Sequence, residues 1–407
     1  MPTSPARWIW QTAIWPPLAF DAQAITTPLS NARHELGRLI GKVEAVGLAD
    51  AALTERDIWT QDALATAAIE GEMLNLDAVR SSVARRLGIA ADFSAAIPRN
   101  VEGLLDVMQD AATNWAAPLT EDRLRAWHVE LFPLAQISLR PIKVGRYRSD
   151  ASPMQIVSGP LGRESVHYEA PPAADVPAQM RQFIDWFNRT RRNDNYGTNA
   201  DSNDNSATDG LVRAALAHLW FESIHPFEDG NGRIGRAIVD LALSQDTGRA
   251  FRLHGLSVEL RRRQSEYYEA LNRVQRAEAD PTTWLQWLLD TLQRSCLASS
   301  RLVDEALQRA QFWSTHKHVQ INERQRKLLN KMLEAGPGKF EGGMTPRKAQ
   351  SLTGAASASA TRDLTELVEK ALMVRRGAGR STHYELALEG REWRAAGDVA
   401  AVNDKPE

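Results

Sequence analysis

Apolar residues recur at three- and four-residue spacing along most of this chain, and nowhere does it alternate strands with helices. That periodicity predicts a mainly α fold. Residues 31–49 carry Leu36, Leu39, Ile40 and Val43; residues 51–70 carry Ile58, Leu64 and Ile69; residues 73–87 carry Leu74, Leu76, Val79, Val83 and Leu87. Further helices are predicted over 99–115, 121–132, 177–189, Leu211–Phe221, Gly232–Leu243, 257–275 and 282–314. The exception is 154–169, where Gln155–Val157 and Ser165–Tyr168 flank a connection containing Gly and Pro, the pattern of a β-hairpin.

Three stretches differ from the helical body. At the N-terminal end, Trp8, Trp10, Trp15 and Phe20 crowd around prolines. They are expected to anchor an irregular segment onto the helices, with peptide binding as the alternative. Residues 193–210 are rich in Asn, Asp, Ser and Gly and predict a loop. Residues 318–390 predict a helix at 321–335, a Gly-rich break, a short helix Pro346–Leu352, a turn at Gly354 and a helix Ser357–Leu372. Strands Met373–Arg376 and Thr382–Leu386 then flank Gly377–Ser381, which completes the outline of a winged helix-turn-helix. The expected domains are 1–95, 96–300 and 315–392, with a frayed tail after Glu392.

Composition narrows the function classes. The chain has 407 residues and a net charge of −2, so overall charge points to neither nucleic acid nor membrane. Locally, 321–380 holds 12 Lys and Arg against 6 Asp and Glu. Arg375, Arg376 and Arg380 fall on the wing, and Ser357, Ser359, Thr361 and Arg362 open the recognition helix, but Asp363, Glu366 and Glu369 share that helix. DNA and protein are therefore both expected partners for 315–392. The lone Cys296 excludes a disulfide framework and a Cys-rich zinc site. No apolar run approaches the roughly 20 residues that span a bilayer, and Pro16 and Pro17 interrupt any leader-like segment. A cytoplasmic protein without membrane contact is expected.

The chemistry concentrates in Ile224-His225-Pro226-Phe227-Glu228-Asp229-Gly230-Asn231-Gly232-Arg233-Ile234-Gly235-Arg236, between two predicted helices. Gly230 and Gly232 allow close backbone approach where the second helix begins. Free N–H groups and the positive end of the helix dipole make that point a cradle for phosphate. Arg233 and Arg236 are neighbours on one helix face and suit a di- or triphosphate. Asp229 is placed to hold Mg²⁺ against those phosphates. His225 is a candidate general base near neutral pH.

The segment His225–Arg236 resembles the Fic (Fido) family signature HxFx(D/E)GNGRxxR at every fixed position. Ala217–Glu222, Gly145-Arg146-Tyr147-Arg148, and Tyr267-Tyr268 followed by Leu271 also look like family landmarks, so the resemblance covers roughly 115–292. It implies an all-helical core with a β-hairpin flap, a helical N-terminal extension and a C-terminal winged helix. It further implies transfer of AMP from ATP to a Ser, Thr or Tyr hydroxyl of a target protein, or of the protein itself. In that reading His225 is the base, Phe227 supports the loop and Asp229 holds Mg²⁺. Gly230, Asn231, Gly232, Arg233, Ile234, Gly235, Arg236 and Tyr268 bind ATP. Thr66-Ala67-Ala68-Ile69-Glu70-Gly71 resembles the family's inhibitory pattern (S/T)xxxE(G/N), which implies that Glu70 pairs with Arg236 where the γ-phosphate would lie. The alternatives are AMP removal, with Glu70 orienting a water, transfer of another nucleotide or phosphoryl group, and a DNA-binding regulator whose Fic core senses nucleotide. A homodimer is compatible with each.

Overall fold

The computed structural model describes residues 7–16, 18–45, 48–89, 97–133, 142–158, 163, 165–191, 208–250, 253–335, 340 and 342–387. Nearly all of the expected 193–210 loop, the hairpin connection and the tail after Glu392 lie outside the described residues. Fourteen α-helices and two two-stranded antiparallel sheets make up the described chain. It divides into two compact units, 1–45 with 52–300, and 46–51 with 301–407.

The first unit is organised by α7 (Gly210–Ile224), in which every residue is buried. Its sequence is apolar on all sides, and Asp209 caps it by accepting the N–H groups of Leu211 and Val212. The arginine of α7, Arg213, is satisfied: it donates to the Phe187 carbonyl at 3.0 Å and to Gln245 Oε1 at 2.8 Å. Helix α8 (Asn231–Thr247) packs along α7 and also against α4 (Arg99–Thr113). On α6 (Val176–Arg189), Phe183 meets Trp220 and Phe221 of α7 at ring separations of 5.8 and 6.0 Å.

Around this centre lie α1 (Thr26–Ala45), α2 (Leu48–Ile69), α3 (Leu76–Arg86) and α5 (Glu121–Leu131). Arg33 of α1 pairs with Asp209 at 2.8 Å, tying α1 to the start of α7. The stretch predicted as one helix over 257–275 is two, α9 (Leu256–Arg262) and α10 (Gln264–Gln275). The break is at Arg263, whose guanidinium reaches Asp290 and Thr291 of α11 (Pro281–Thr315) at 2.8 and 2.9 Å.

Strands β1 (Gln155–Ser158) and β2 (Ser165–Glu169) form the predicted hairpin, with a bulge between Ile156 and Val157. The N-terminal aromatics bear on this hairpin as well as on the helices. Trp8 meets Tyr168 edge-on at 5.6 Å, Trp10 Nε1 donates to the Glu169 carbonyl at 2.8 Å, and Trp15 meets Trp220 at 6.1 Å.

The second unit contains α12 (Glu323–Ala335), α13 (Pro346–Thr353), α14 (Ser357–Glu369), β3 (Met373–Arg376) and β4 (His383–Leu386). It has its own apolar core, including Leu328, Leu329, Met344, Leu364, Leu367 and Met373. Asp363 on α14 is buried and accepts hydrogen bonds from Arg324 and Asn322, so its charge is spent inside the unit.

Candidate active site

The segment between α7 and α8 is a tight loop held from several sides. His225 takes the left-handed conformation, φ 49° and ψ 62°, while its N–H still donates to the Phe221 carbonyl at 2.9 Å. Such a dihedral is costly for a residue with a Cβ and persists where its surroundings impose it. Here Arg148 imposes it: Nε donates to the His225 carbonyl at 2.8 Å, and the Arg148 N–H donates to the Pro226 carbonyl at 2.8 Å. Phe227 is fully buried and stacks on His128 of α5 at 4.2 Å. His128 Nδ1 accepts the Gly145 N–H at 2.9 Å, which leaves Nε2–H to donate to the Asp229 carbonyl at 3.2 Å. Asn231 is buried, and its side-chain amide closes the loop on itself: Oδ1 accepts the Phe227 N–H at 3.0 Å and Nδ2 donates to the Phe227 carbonyl at 2.9 Å. That side chain braces the loop and is not free for a ligand.

Side chains crowd each of the three glycines. A Cβ on Gly230, whose φ is 79°, would lie 2.8 Å from the Phe132 ring. One on Gly232 would lie 2.2 Å from Glu70 Oε1, and one on Gly235 would lie 2.4 Å from Glu222 Oε1. The N-terminus of α8 has no side-chain cap, so no capping side chain satisfies its first N–H groups. Ile234 is fully buried in the core.

Both signature arginines are buried and engaged by carboxylates. Arg236 donates from Nη2 to Glu70 Oε1 at 2.8 Å, from Nε to Thr66 Oγ1 at 2.7 Å and from Nη2 to the Thr66 carbonyl at 3.1 Å. Arg233 donates to Glu72 Oε2 at 3.1 Å, and Glu72 Oε1 accepts from Asn100 of α4 at 2.7 Å. Neither guanidinium is saturated. Arg236 Nη1 and Arg233 Nε are buried without a hydrogen bond, as are His225 Nδ1 and Glu222 Oε1. Unpaired buried donors of this kind call for a partner, and an anion supplies one.

A cavity of about 430 Å³ opens here, lined among others by Glu70, Glu72, Asn100, Phe132, Asp229 and Arg233. A second, of about 560 Å³, lies between His167 of β2 and Tyr268, Asn272 and Arg276. Tyr268 is 40% exposed, and its hydroxyl donates to the Ile69 carbonyl at 3.3 Å. Burial pushes the His225 imidazole down to about 4, so the ring is neutral at pH 7 and free to accept a proton. Burial first, and Glu70 next, push the Glu222 carboxyl up to about 8. Among the described residues no group of three or more His, Cys, Asp or Glu is arranged to hold a metal ion. Asp229 is an exposed single carboxylate at the loop, which suits an ion coordinated mostly by phosphate and water.

Residues 118–243 match the Fic/DOC family model. That stretch of the chain is a Fic/DOC domain. Residues 8–89 match a second model, described as a domain of unknown function (DUF4172). The protein adenylyltransferase Fic of Nematostella vectensis is 26% identical over 220 residues, 53% of this chain and 43% of that one. The protein adenylyltransferase fic-1 of Caenorhabditis elegans is 29% identical over 132 residues, 32% of this chain and 20% of that one. The chain thus spans less than half the length of these curated relatives. A Fic family protein from Desulfovibrio desulfuricans G20 shares the fold, with TM-score 0.51 and 23% identity over 93% of this chain and 99% of that one.

Several residues that shape this Fic site do not stand out in the sequence. His128, Arg148, Glu72 and Asn100 are single polar residues on separate elements, brought in from afar. The Glu72–Arg233 contact spans 161 positions and the His128–Asp229 contact 101. Arg148 was legible only as part of the Gly145–Arg148 landmark. Glu72 follows the TAAIEG motif by one position, and its charge there was the only signal.

Proposed function

We propose that this Fic protein transfers AMP from ATP to a hydroxyl of a protein target, and that the Thr66–Glu70 segment restrains the transfer. The observation that carries the reading is the pairing of a neutral His225 with an uncapped α8 N-terminus beside Arg233 and Arg236, each with a buried unpaired donor. The α8 amides and the two guanidiniums bind the phosphate chain and hold its α-phosphorus in line with the incoming hydroxyl. His225 takes the hydroxyl proton as the new O–P bond forms, and the bond to the β-phosphate oxygen breaks to release pyrophosphate. Mg²⁺ held at Asp229 would neutralise charge on that leaving group. Glu70 restrains the reaction because its carboxylate is hydrogen-bonded to Arg236 and fills the space above Gly232 that a terminal phosphate needs. The hairpin β1–β2 offers a strand edge on which an extended target segment can be presented.

The test uses Glu70→Gly and the unmodified protein, each incubated with cell lysate and with ATP labelled at the α or the γ position. Glu70→Gly is expected to label itself and targets far more strongly, from the α position only, and adding Arg236→Ala should cancel the gain. Label from the γ position would replace AMP transfer by phosphoryl transfer. Equal labelling by both proteins would remove Glu70 from control. AMP removal uses the same pocket, with Glu70 orienting a water; loss of label from a pre-modified target, faster with Glu70 present, would favour it.

A further inference from the structure

Glu222 has no role in the chemistry described so far, yet it lies against all of its parts. It is the third residue before His225, on the last turn of α7, with its side chain only 6% exposed. Oε2 lies 3.9 Å from His225 Nδ1, and Oε1 has no hydrogen bond. The α8 backbone closes on Oε1 at Gly235, where any Cβ would stand 2.4 Å from it. A buried carboxyl with an open oxygen is costly to keep for packing alone.

The chemistry at His225 supplies a use for it. A neutral imidazole that accepts a proton at Nε2 must carry its own proton at Nδ1. After the transfer the ring is a cation, and its Nδ1–H needs an acceptor. The nearest carboxylate is Glu222. We infer that Glu222 is a positioning residue for the reaction: its carboxylate orients His225 through Nδ1 and stabilises the imidazolium, and Glu70 suppresses this as well as obstructing the phosphates. The inference rests on the AMP-transfer reading.

The link to Glu70 is electrostatic. The groups that face Glu222 are Glu70 from the turn after α2, Arg236 from α8, His225 from the loop and Tyr267 and Tyr268 from α10. Burial, then Glu70, holds Glu222 in its protonated form, and Arg236 opposes them. While Glu70 is in place, part of the field of Arg236 is spent on it. Removal of Glu70 takes away the like charge and returns that field, so Glu222 ionises at a lower pH. The balance is simple. The hydroxyl proton moves to Nε2, the target oxygen bonds to the α-phosphorus, pyrophosphate leaves with the electron pair, and the imidazolium then returns its proton to water.

The decisive comparison is Glu70→Gly against Glu70→Gly with Glu222→Gln. Glutamine has the shape of the protonated carboxyl present at rest, so the fold should survive. Expected are a kcat lower by about 10- to 100-fold, a KM for ATP changed less than about twofold, and an acid limb of the kcat–pH profile moved to lower pH, because the imidazolium has lost its counter-ion. Glu222→Asp should recover part of kcat. A direct readout does not depend on turnover: an NMR titration of the His225 ring, assigned by its loss in His225→Ala, should give a lower pKa in the double variant than in Glu70→Gly. An unchanged kcat with an unchanged His225 titration overturns the inference and leaves the Glu222 backbone carbonyl, which also faces the ring, as sufficient. A raised KM with unchanged kcat overturns it too, since Glu222 would then act only through Arg236. Inactivity of Glu70→Gly itself would count against AMP transfer, and the NMR comparison would still decide the role of Glu222.

Discussion

At the scale of single residues, His225 joins an unusual backbone conformation to a mostly buried side chain. It is one of four non-glycine residues with positive φ among those described, and its side chain is 13% exposed. The dihedral costs on the order of 1–3 kcal/mol and is held by Arg148 and the Phe221 carbonyl. Because no phosphate-binding donor belongs to its side chain, His225→Ala should lower transfer by about 10²–10⁴-fold while ATP still binds. Isothermal titration with ATP beside a single-turnover assay, both in the Glu70→Gly background, checks this; equal loss of binding and turnover would move His225 into the nucleotide site. The run from His225 to Arg236 was legible because the residues that make the loop are contiguous, and spacing alone places the glycines and arginines at a helix start. The roles of its supports were not legible. His128 and Arg148 act through geometry that exists only after the chain has folded, and a lone histidine or arginine on a helix or loop carries no periodic signal. Asn231 was placed in the anion site, but its amide serves the Phe227 backbone instead.

At the scale of elements, α2 and the turn after it deliver two carboxylates to α8, Glu70 to Arg236 and Glu72 to Arg233. The second contact predicts a second layer of restraint. In the Glu70→Gly background, Glu72→Gln should lower the KM for ATP by roughly three- to tenfold, the scale of a partly exposed pair worth about 1 kcal/mol. Initial rates across ATP concentrations check it, and an unchanged KM would make Glu72 a purely structural link to Asn100. The helical character of these elements was legible from spacing, but two features were not. Residues 257–275 read as one helix, but Arg263, drawn to Asp290 and Thr291, interrupts the backbone. Trp8 and Trp10 read as anchors, but that they bear on β2 follows from tertiary packing, which no local pattern encodes.

At the scale of the whole molecule, the first unit buries His128, His218 and His225 in neutral form. His218 is fully buried on α7, stacked on Trp284 at 5.3 Å, with Nε2 3.2 Å from the Tyr267 hydroxyl. Burial pushes it down to about 3 from an ordinary value of 6.5. A base whose folded pKa lies below its unfolded one contributes stability that is complete above the unfolded value and is lost as pH falls toward the folded one. Between pH 6.5 and 3, His218→Gln should therefore flatten the dependence of unfolding free energy on pH by up to one proton, roughly 1.4 kcal/mol per pH unit. Urea unfolding at several pH values checks this, and parallel curves would refute it. The contrast between α7, buried along its whole length, and the carboxylates of Glu70 and Glu72, 26% and 32% exposed, bears on how such a chain can drift under mutation. Substitutions in α7 meet packed neighbours on every side and are mostly purged for instability before any effect on the reaction is felt. Substitutions at Glu70 or Glu72 fall on partly exposed side chains outside that packed core. On the proposed reading, the restraint is therefore the part of this molecule most open to evolutionary adjustment, and the chemistry the part most firmly inherited.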